Sequence, residues 1–349
     1  MDVKNNVIIS VQPVMRPLSI VLAMMTWATT SVGQIGFVDP PGFGDPIPTL
    51  SKFDIDGPDR FEPMIGGQIG RMALMRSGDE AAPLVLSDGS LGPVELLRQT
   101  DLLNNGFGTG TRASLQFYNL MKTRPGWDME LLYFDVDDEI ANETLNAADF
   151  GNTSNLIDLF FQSVPNTPGP ISNYRLVSGL ESFEWQAVYR PRAGLRLTGG
   201  LRWLDLEEEF AIFNPSSNET SFAAVENDML GVQIGAEATL WTNHSVRVFT
   251  GLKYALFHND IDGGAVSAGN RVTFADHEAS SLVDLELGIS GAISERFSVH
   301  IAYKGLFLND VAAVVPQSDA ISVFGGNDQR VRHSNIDWDG LHYGITFVY

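Results

Sequence analysis

The chain has 349 residues, of which 44% are hydrophobic, with 34 Gly, no Cys and a formal net charge of −21. An acidic surface with no basic patch repels nucleic-acid phosphate and excludes a DNA or RNA partner. The absence of Cys excludes disulfide scaffolds, thiol catalysis, cysteine-based zinc sites and anchoring through a lipidated cysteine.

The first element is an export signal. In MRPLSIVLAMMTWATTSVGQ, Met15 to Gln34, the basic Arg16 precedes an apolar run from Leu18 to Ala28, and small residues follow at Ser31 and Gly33. That order reads as a secretory signal peptide over residues 1–33, the apolar run being short for a retained anchor. Residues 34–61 are rich in Pro and Gly, show neither helical nor strand period, and read as a periplasmic leader.

From residue 62 to 349 the texture changes to Gly-studded stretches of period two, separated by connections rich in Asn, Ser and Asp, so this part is all-β. Leu195, Leu197, Leu201 and Trp203 oppose Arg196, Thr198 and Arg202. Leu230, Val232 and Ile234 oppose Gly231, Gln233 and Gly235, and Leu252, Tyr254 and Leu256 oppose Gly251 and Lys253. The chain ends on GLHYGITFVY, where Leu341, Tyr343, Ile345, Phe347 and Tyr349 share one face.

A soluble sandwich with inward apolar faces would alternate in the same way, so a secreted all-β binding protein is the rival reading. The connections favour another. Short ones at Lys122–Gly126, Arg190–Ala193, Thr242–Ser245 and Ser294–Arg296 alternate with long ones over about Ser77–Asn105, Asp138–Ser172, Glu207–Asn227, Asn259–Val272 and Asp310–Asn335. This pattern predicts a transmembrane antiparallel up-and-down β-barrel of about ten strands, with both ends and the short turns in the periplasm. The expected place is the outer membrane of a Gram-negative-type bacterium, with its lipid as partner and Trp127, Trp185, Tyr189, Trp241 and Tyr349 as interface aromatics. On this reading Ile234→Arg is damaging, and Gln233→Arg, one residue away on the lumen face, is tolerated.

Several stretches carry a family resemblance: GLRLTGGLRWLDLEEEF (Gly194 to Phe210), NDMLGVQIGAEATLW (Asn227 to Trp241), AISERFSVHIAYKGLFLNDVA (Ala292 to Ala312) and the more diffuse AAPLVLSDGSLGPVELL (Ala81 to Leu97). With the terminal strand they resemble the outer-membrane β-barrel proteins of planctomycetes over most of Arg71 to Tyr349. The acidic LEEEF segment and the stretch from Glu139 to Pro170 depart from that pattern. The resemblance implies a barrel of sparse known biochemistry, and an aromatic-ended last strand, with Tyr343, Phe347 and Tyr349, that the barrel-assembly machinery reads.

The expected lumen-facing charges are Arg112, Arg196, Arg202, Arg247, Lys253 and Lys304 against Glu130, Glu184, Glu237, Asp284 and Glu286. In a barrel of this size the lumen is filled by side chains, so these charges are expected to neutralise one another; a selective polar channel is the rival. The acidic stretches FDVDDE (Phe134 to Glu139), LDLEEE (Leu204 to Glu209) and HNDIDGG (His258 to Gly264) lack a complete calcium loop and read as solvated outer loops, with weak divalent-cation binding as the alternative, so no metal or cofactor site is assigned. His258, Asp260 and Asp262, or His333, Asp337 and Asp339, carry a third reading as an outer-membrane barrel enzyme, but no nucleophile motif accompanies them, and the expectation is no catalysis. The function expected is a structural, surface-exposed or narrow-pore role.

Overall fold

The computed structural model describes residues 64–78, 83–89, 92–98, 108–119, 126–146, 156–158, 163–164, 170–192, 194–214, 219–243, 246–267, 270–294, 296–314, 331 and 333–349. The expected signal peptide (1–33) and leader (34–61) lie outside the described residues.

Ten strands close on themselves: β1 (Met64–Gly78), β4 (Gly108–Tyr118), β5 (Trp127–Asn146), β8 (Pro170–Arg192), β9 (Leu195–Asn214), β10 (Glu219–Thr242), β11 (Val246–Ser267), β12 (Asn270–Ala292), β13 (Phe297–Ala312) and β14 (His333–Val348). Each pairs antiparallel with its neighbour in this order, and β1 pairs with β14 from Gly66↔Val348 to Gly78↔Ile336. The fold is therefore a closed up-and-down barrel of ten strands. A meander of this kind leaves no unpaired edge once the first and last strands meet. That meeting uses the final residue: Tyr349 and Ile65 exchange both backbone hydrogen bonds, at 2.9 and 2.7 Å.

Short turns gather at one rim. Gly126 (φ 84°) and Gly194 (φ 76°) hold the left-handed backbone these turns need, and their carbonyls accept from Arg190 N at 2.9 Å and Thr239 N at 2.7 Å, which locks each turn to a neighbouring strand. At the opposite rim two expected loops are in large part strand. Glu207–Asn227 is the tip of the β9–β10 hairpin, paired from Glu219↔Asn214 onward, and Asn259–Val272 is the tip of β11–β12, paired up to Ser267↔Asn270. The signals misread as loop were Asp, Asn and Gly, which sit on these strands because cross-strand pairing outweighs their low strand propensity. Strand β10 has 24 residues; at about 3.3 Å per residue and a tilt of about 40° it projects to about 60 Å, far beyond a lipid-facing band of about 25 Å.

The stretches Ser77–Asn105 and Asp138–Ser172 also contain strand. Here β2 (Pro83–Gly89), β3 (Gly92–Arg98), β6 (Leu156–Asp158) and β7 (Ser163–Val164) form a separate four-stranded sheet in the order β3-β2-β6-β7.

Period two sorts side chains between wall and interior. Ile69, Leu201, Ile234, Leu252, Leu287 and Ile301 all point outward and are exposed, with Ile234 at 68%. Their inward neighbours Gln233, Arg202 and Ala302 are buried. An apolar belt of this extent around a closed wall suits hydrocarbon and is an aggregation hazard in water. It rules out the sandwich, which needs these faces inside.

Ile234→Arg is accordingly expected to destabilise the barrel by about 2–4 kcal/mol in a bilayer, and Ile293→Arg, beside a short turn, by about 0–1 kcal/mol; equilibrium unfolding from lipid vesicles measures both. Gln233→Arg is not the neutral control that the sequence suggests. Gln233 is buried and donates to Glu184 Oε2 at 2.8 Å, in a space that Arg202 and Lys253 already fill.

Candidate functional site: the barrel interior and its outer wall

Inward residues of nine strands, β4, β5 and β8 to β14, build the ion pairs of the interior. Glu184 on β8 receives Lys253 of β11 at 2.6 Å and Arg202 of β9 at 3.5 Å. Arg202 continues to Asp284 of β12 at 3.1 Å, and Asp284 binds Lys304 of β13 at 2.6 Å. Towards the short-turn rim Arg196 bridges Glu130 and Glu237, both at 2.9 Å, and Arg247 meets Glu237 at 3.2 Å. Arg112 lies 3.2 Å from Glu286, which also faces His342 at 3.2 Å. Every lumen charge expected from the sequence thus points inward and lies within an ion pair. Closely spaced pairs of opposite sign are what a low-dielectric interior requires, since an uncompensated charge there costs several kcal/mol.

The network has members that the charge pattern did not single out. Gln116 and Gln186 donate to Glu130 at 2.6 and 2.7 Å, and Gln68 Nε2 lies 2.6 Å from His300 Nε2. Arg190 pairs with Asp128 at 2.5 Å, and Arg76 with Glu208 at 2.6 Å, both Arg76 and Glu208 being buried. The signal that finds them is parity: Glu208 has the inward phase of Arg202, whereas Glu207 and Glu209 have the outward phase. A cavity of about 150 Å³ remains beside this network, lined by Arg112, Glu130, Arg196, Glu237, Glu286 and His300 among others.

Further from the short-turn rim the interior becomes apolar. Leu74, Phe134, Leu204, Met229, Leu306 and Trp338 meet across the barrel with no exposure, joined by Leu132, Leu180, Phe257, Leu282 and Ile336. The end of β13 turns in over them. Ala312 N donates to Asn227 Oδ1 at 2.8 Å while Asn227 Nδ2 donates to Ala312 O at 2.9 Å, and Val314 N donates to Glu208 Oε2 at 3.0 Å. Val311, Ala312 and Val314 are fully buried as a result. These side chains lie out of reach of solvent.

The expected interface aromatics divide by position. Trp127 and Tyr189 stack at 5.0 Å beside two short turns, Trp241 is exposed at a third, and Arg296 lies over the Tyr349 ring at 5.8 Å. Trp185 also faces outward, but it stands four residues up β8 from Tyr189, about 10 Å deeper along the barrel axis. His258, Asp260 and Asp262 lie on the outward face of β11, where His258 Nε2 is 3.3 Å and His277 Nδ1 of β12 is 2.5 Å from Asp260 Oδ1. Asp339 accepts from Tyr303 at 3.0 Å, and His333 pairs in the ladder with Ala312, so the structure does not gather His333, Asp337 and Asp339 into one site.

Above the apolar belt the outer wall carries a row of carboxylates. Register places Asp135 opposite Glu181, Glu181 opposite Asp205, Asp205 opposite Asp228, and Asp228 opposite Asp260, so like charges face one another across five strands. Such juxtaposition is destabilising unless something offsets it. Several members have donors: Thr111 N to Asp135 at 2.8 Å, Tyr133 Oη to Glu181 at 2.8 Å, and Trp203 Nε1 to Asp228 at 2.6 Å. Higher on the wall, burial, then the Asp228 and Asp262 carboxylates, raises the Glu226 carboxyl above its ordinary value, as a strongly negative potential should.

No family model and no curated protein matches this chain. Solved structures similar to it include the outer membrane protease OmpT from Escherichia coli, at 7% identity and TM-score 0.47, covering 84% of this chain and 100% of that one. Another is the translocator domain of the autotransporter NalP from Neisseria meningitidis, at 10% identity and TM-score 0.38, covering 95% and 96%. A third is a major outer membrane protein from Thermus thermophilus, at 8% identity and TM-score 0.35, covering 83% and 100%. At these identities and scores the likenesses carry no activity over to this chain.

Proposed function

We propose that this chain is a plugged outer-membrane barrel, seated in lipid by its apolar belt, with a structural and surface-presenting role rather than a conducting or catalytic one. The short-turn rim faces the periplasm, and the long hairpins of β9 to β12 stand out from the cell. The observation that carries this reading is the filled interior: a layer of Phe134, Leu204, Met229, Leu306 and Trp338 above an ion-paired layer, with the end of β13 tucked over both. Charges that select solutes line a continuous water path, whereas these pair with one another and border a cavity of about 150 Å³ beneath the apolar layer. Export by the N-terminal signal, and recognition of Tyr343, Phe347 and Tyr349 by the assembly machinery, complete the proposal.

Planar-bilayer recording on refolded protein tests it. Wild-type barrel, shown to be folded by its altered migration when unheated in a detergent gel, is expected to give no steady conductance steps. The Phe134→Ala/Trp338→Ala pair removes two large rings from the layer and is expected to leak. Regular steps from the wild type would replace this reading with the narrow pore. Recovery of the native protein as a detergent-free soluble monomer would remove the membrane itself from the proposal.

A further inference from the structure

The carboxylate row has an energetic gap at its centre. Asp205 is only 6% exposed, and its Oδ1 has no hydrogen-bond partner. It is flanked in register by Glu181 and Asp228, and Glu207 and Glu226 stand directly opposite each other one outward position further along the same two strands. A buried carboxylate with an orphaned oxygen, among like charges, lacks the compensation that buried ions otherwise show. Among the described residues of this wall none supplies an Arg or Lys to Asp205, in contrast to the interior, where each carboxylate of the network meets a cation.

The geometry points to what is missing. Asp205, Glu207 and Glu226 each offer an oxygen, and these three atoms lie within 4.8 Å of one another. Oxygens that share one divalent cation stand no further apart than about twice the metal–oxygen distance of about 2.0–2.6 Å, so a single ion can reach all three, and the adaptable six- to eight-oxygen shell of Ca²⁺ suits donors set by two paired strands. All-carboxylate donors suit a hard cation and disfavour a softer transition metal. We propose that Asp205, Glu207 and Glu226 hold a calcium-type divalent cation on the outward face of β9 and β10, at the upper edge of the apolar belt. The ion fills the electrostatic gap at Asp205, staples two strands where like charges meet, and keeps its remaining coordination positions for water on the open side. This site does not depend on whether the lumen conducts.

Spacing along the chain does not reveal it, because LDLEEE contains no calcium-loop pattern. Its donors come from alternate residues of one strand, Asp205 and Glu207, and a third from the strand beside it.

The test uses untagged full-length protein, refolded in a neutral detergent and freed of metal by a chelator, titrated calorimetrically with Ca²⁺ and with Mg²⁺. One saturable Ca²⁺ site is expected, with weaker Mg²⁺ binding. Asp205→Asn should abolish it, and Glu207→Gln and Glu226→Gln should each weaken it about tenfold or more, while Asp339→Asn, on the far side of the wall, should leave it unchanged. Thermal unfolding adds a readout that a merely structural role would not produce. In chelator, Asp205→Asn should be more heat-resistant than wild type, because it removes a like charge; in saturating Ca²⁺ the order should reverse. If Asp205→Asn does not fold, Glu226→Gln carries the same comparison. Absence of saturable binding, binding that all the variants share, or an unchanged order of melting would each overturn the site and leave an acidic surface that merely attracts counterions.

Discussion

Deleting Tyr349 is expected to remove most of the assembled barrel, an effect far larger than one exposed side chain suggests. Its backbone makes two hydrogen bonds to Ile65, the last pair of the β1–β14 seam, and its ring lies under Arg296 and edge-on to Phe347 at 6.0 Å. Donors and acceptors left open at a seam in lipid cost several kcal/mol each, and a barrel that does not close has no stable partial form. Three variants divide the contributions. Tyr349→Phe keeps ring and backbone and should assemble normally. Tyr349→Ala keeps only the backbone pair and should assemble at reduced yield, and the deletion should assemble least. The measurement is the protease-resistant, heat-modifiable fraction in the outer membrane of an expressing cell. Normal assembly of the deletion would show that the seam needs neither the terminal pair nor the ring.

Glu184→Ala is expected to destabilise the folded barrel by about 3–5 kcal/mol, because it removes one partner from the fully buried Arg202 and leaves Lys253, about a fifth exposed beside the cavity, without its own. The double variant Glu184→Ala/Lys253→Met should recover more than half of that loss, since it removes the stranded ammonium along with its partner. Urea unfolding from lipid vesicles, followed by tryptophan fluorescence, measures both. A loss below about 1 kcal/mol would place the pair in the range of solvated ion pairs and argue for a wet lumen instead of a filled one.

The two results bear on different layers of one design. The seam decides whether a barrel forms, and the interior decides what passes through it. The row at Asp205 lies on neither, on the outward faces of β5, β8, β9, β10 and β11.

The sequence by itself determined the class, the ten strands of the barrel and the face on which many of their described side chains lie, because period two is a local property of an extended chain and survives without tertiary contacts. Arg202 and Leu201, or Gln233 and Ile234, are assigned to opposite faces by parity alone, and the structure keeps them there. Tertiary structure alone decided which strands continue past the membrane, since the Asp, Asn and Gly of HNDIDGG are held in β11 only by the ladder to β10 and β12. It also decided the partners. Parity says that Glu184 and Lys253 face inward, but their contact at 2.6 Å depends on how far each strand is staggered against the next, and stagger accumulates around a closed sheet in a way no single strand records. The carboxylate row shows the same rule from outside. Asp135, Glu181, Asp205, Asp228 and Asp260 are scattered singly through five segments of chain, and only the register of the closed barrel sets them side by side.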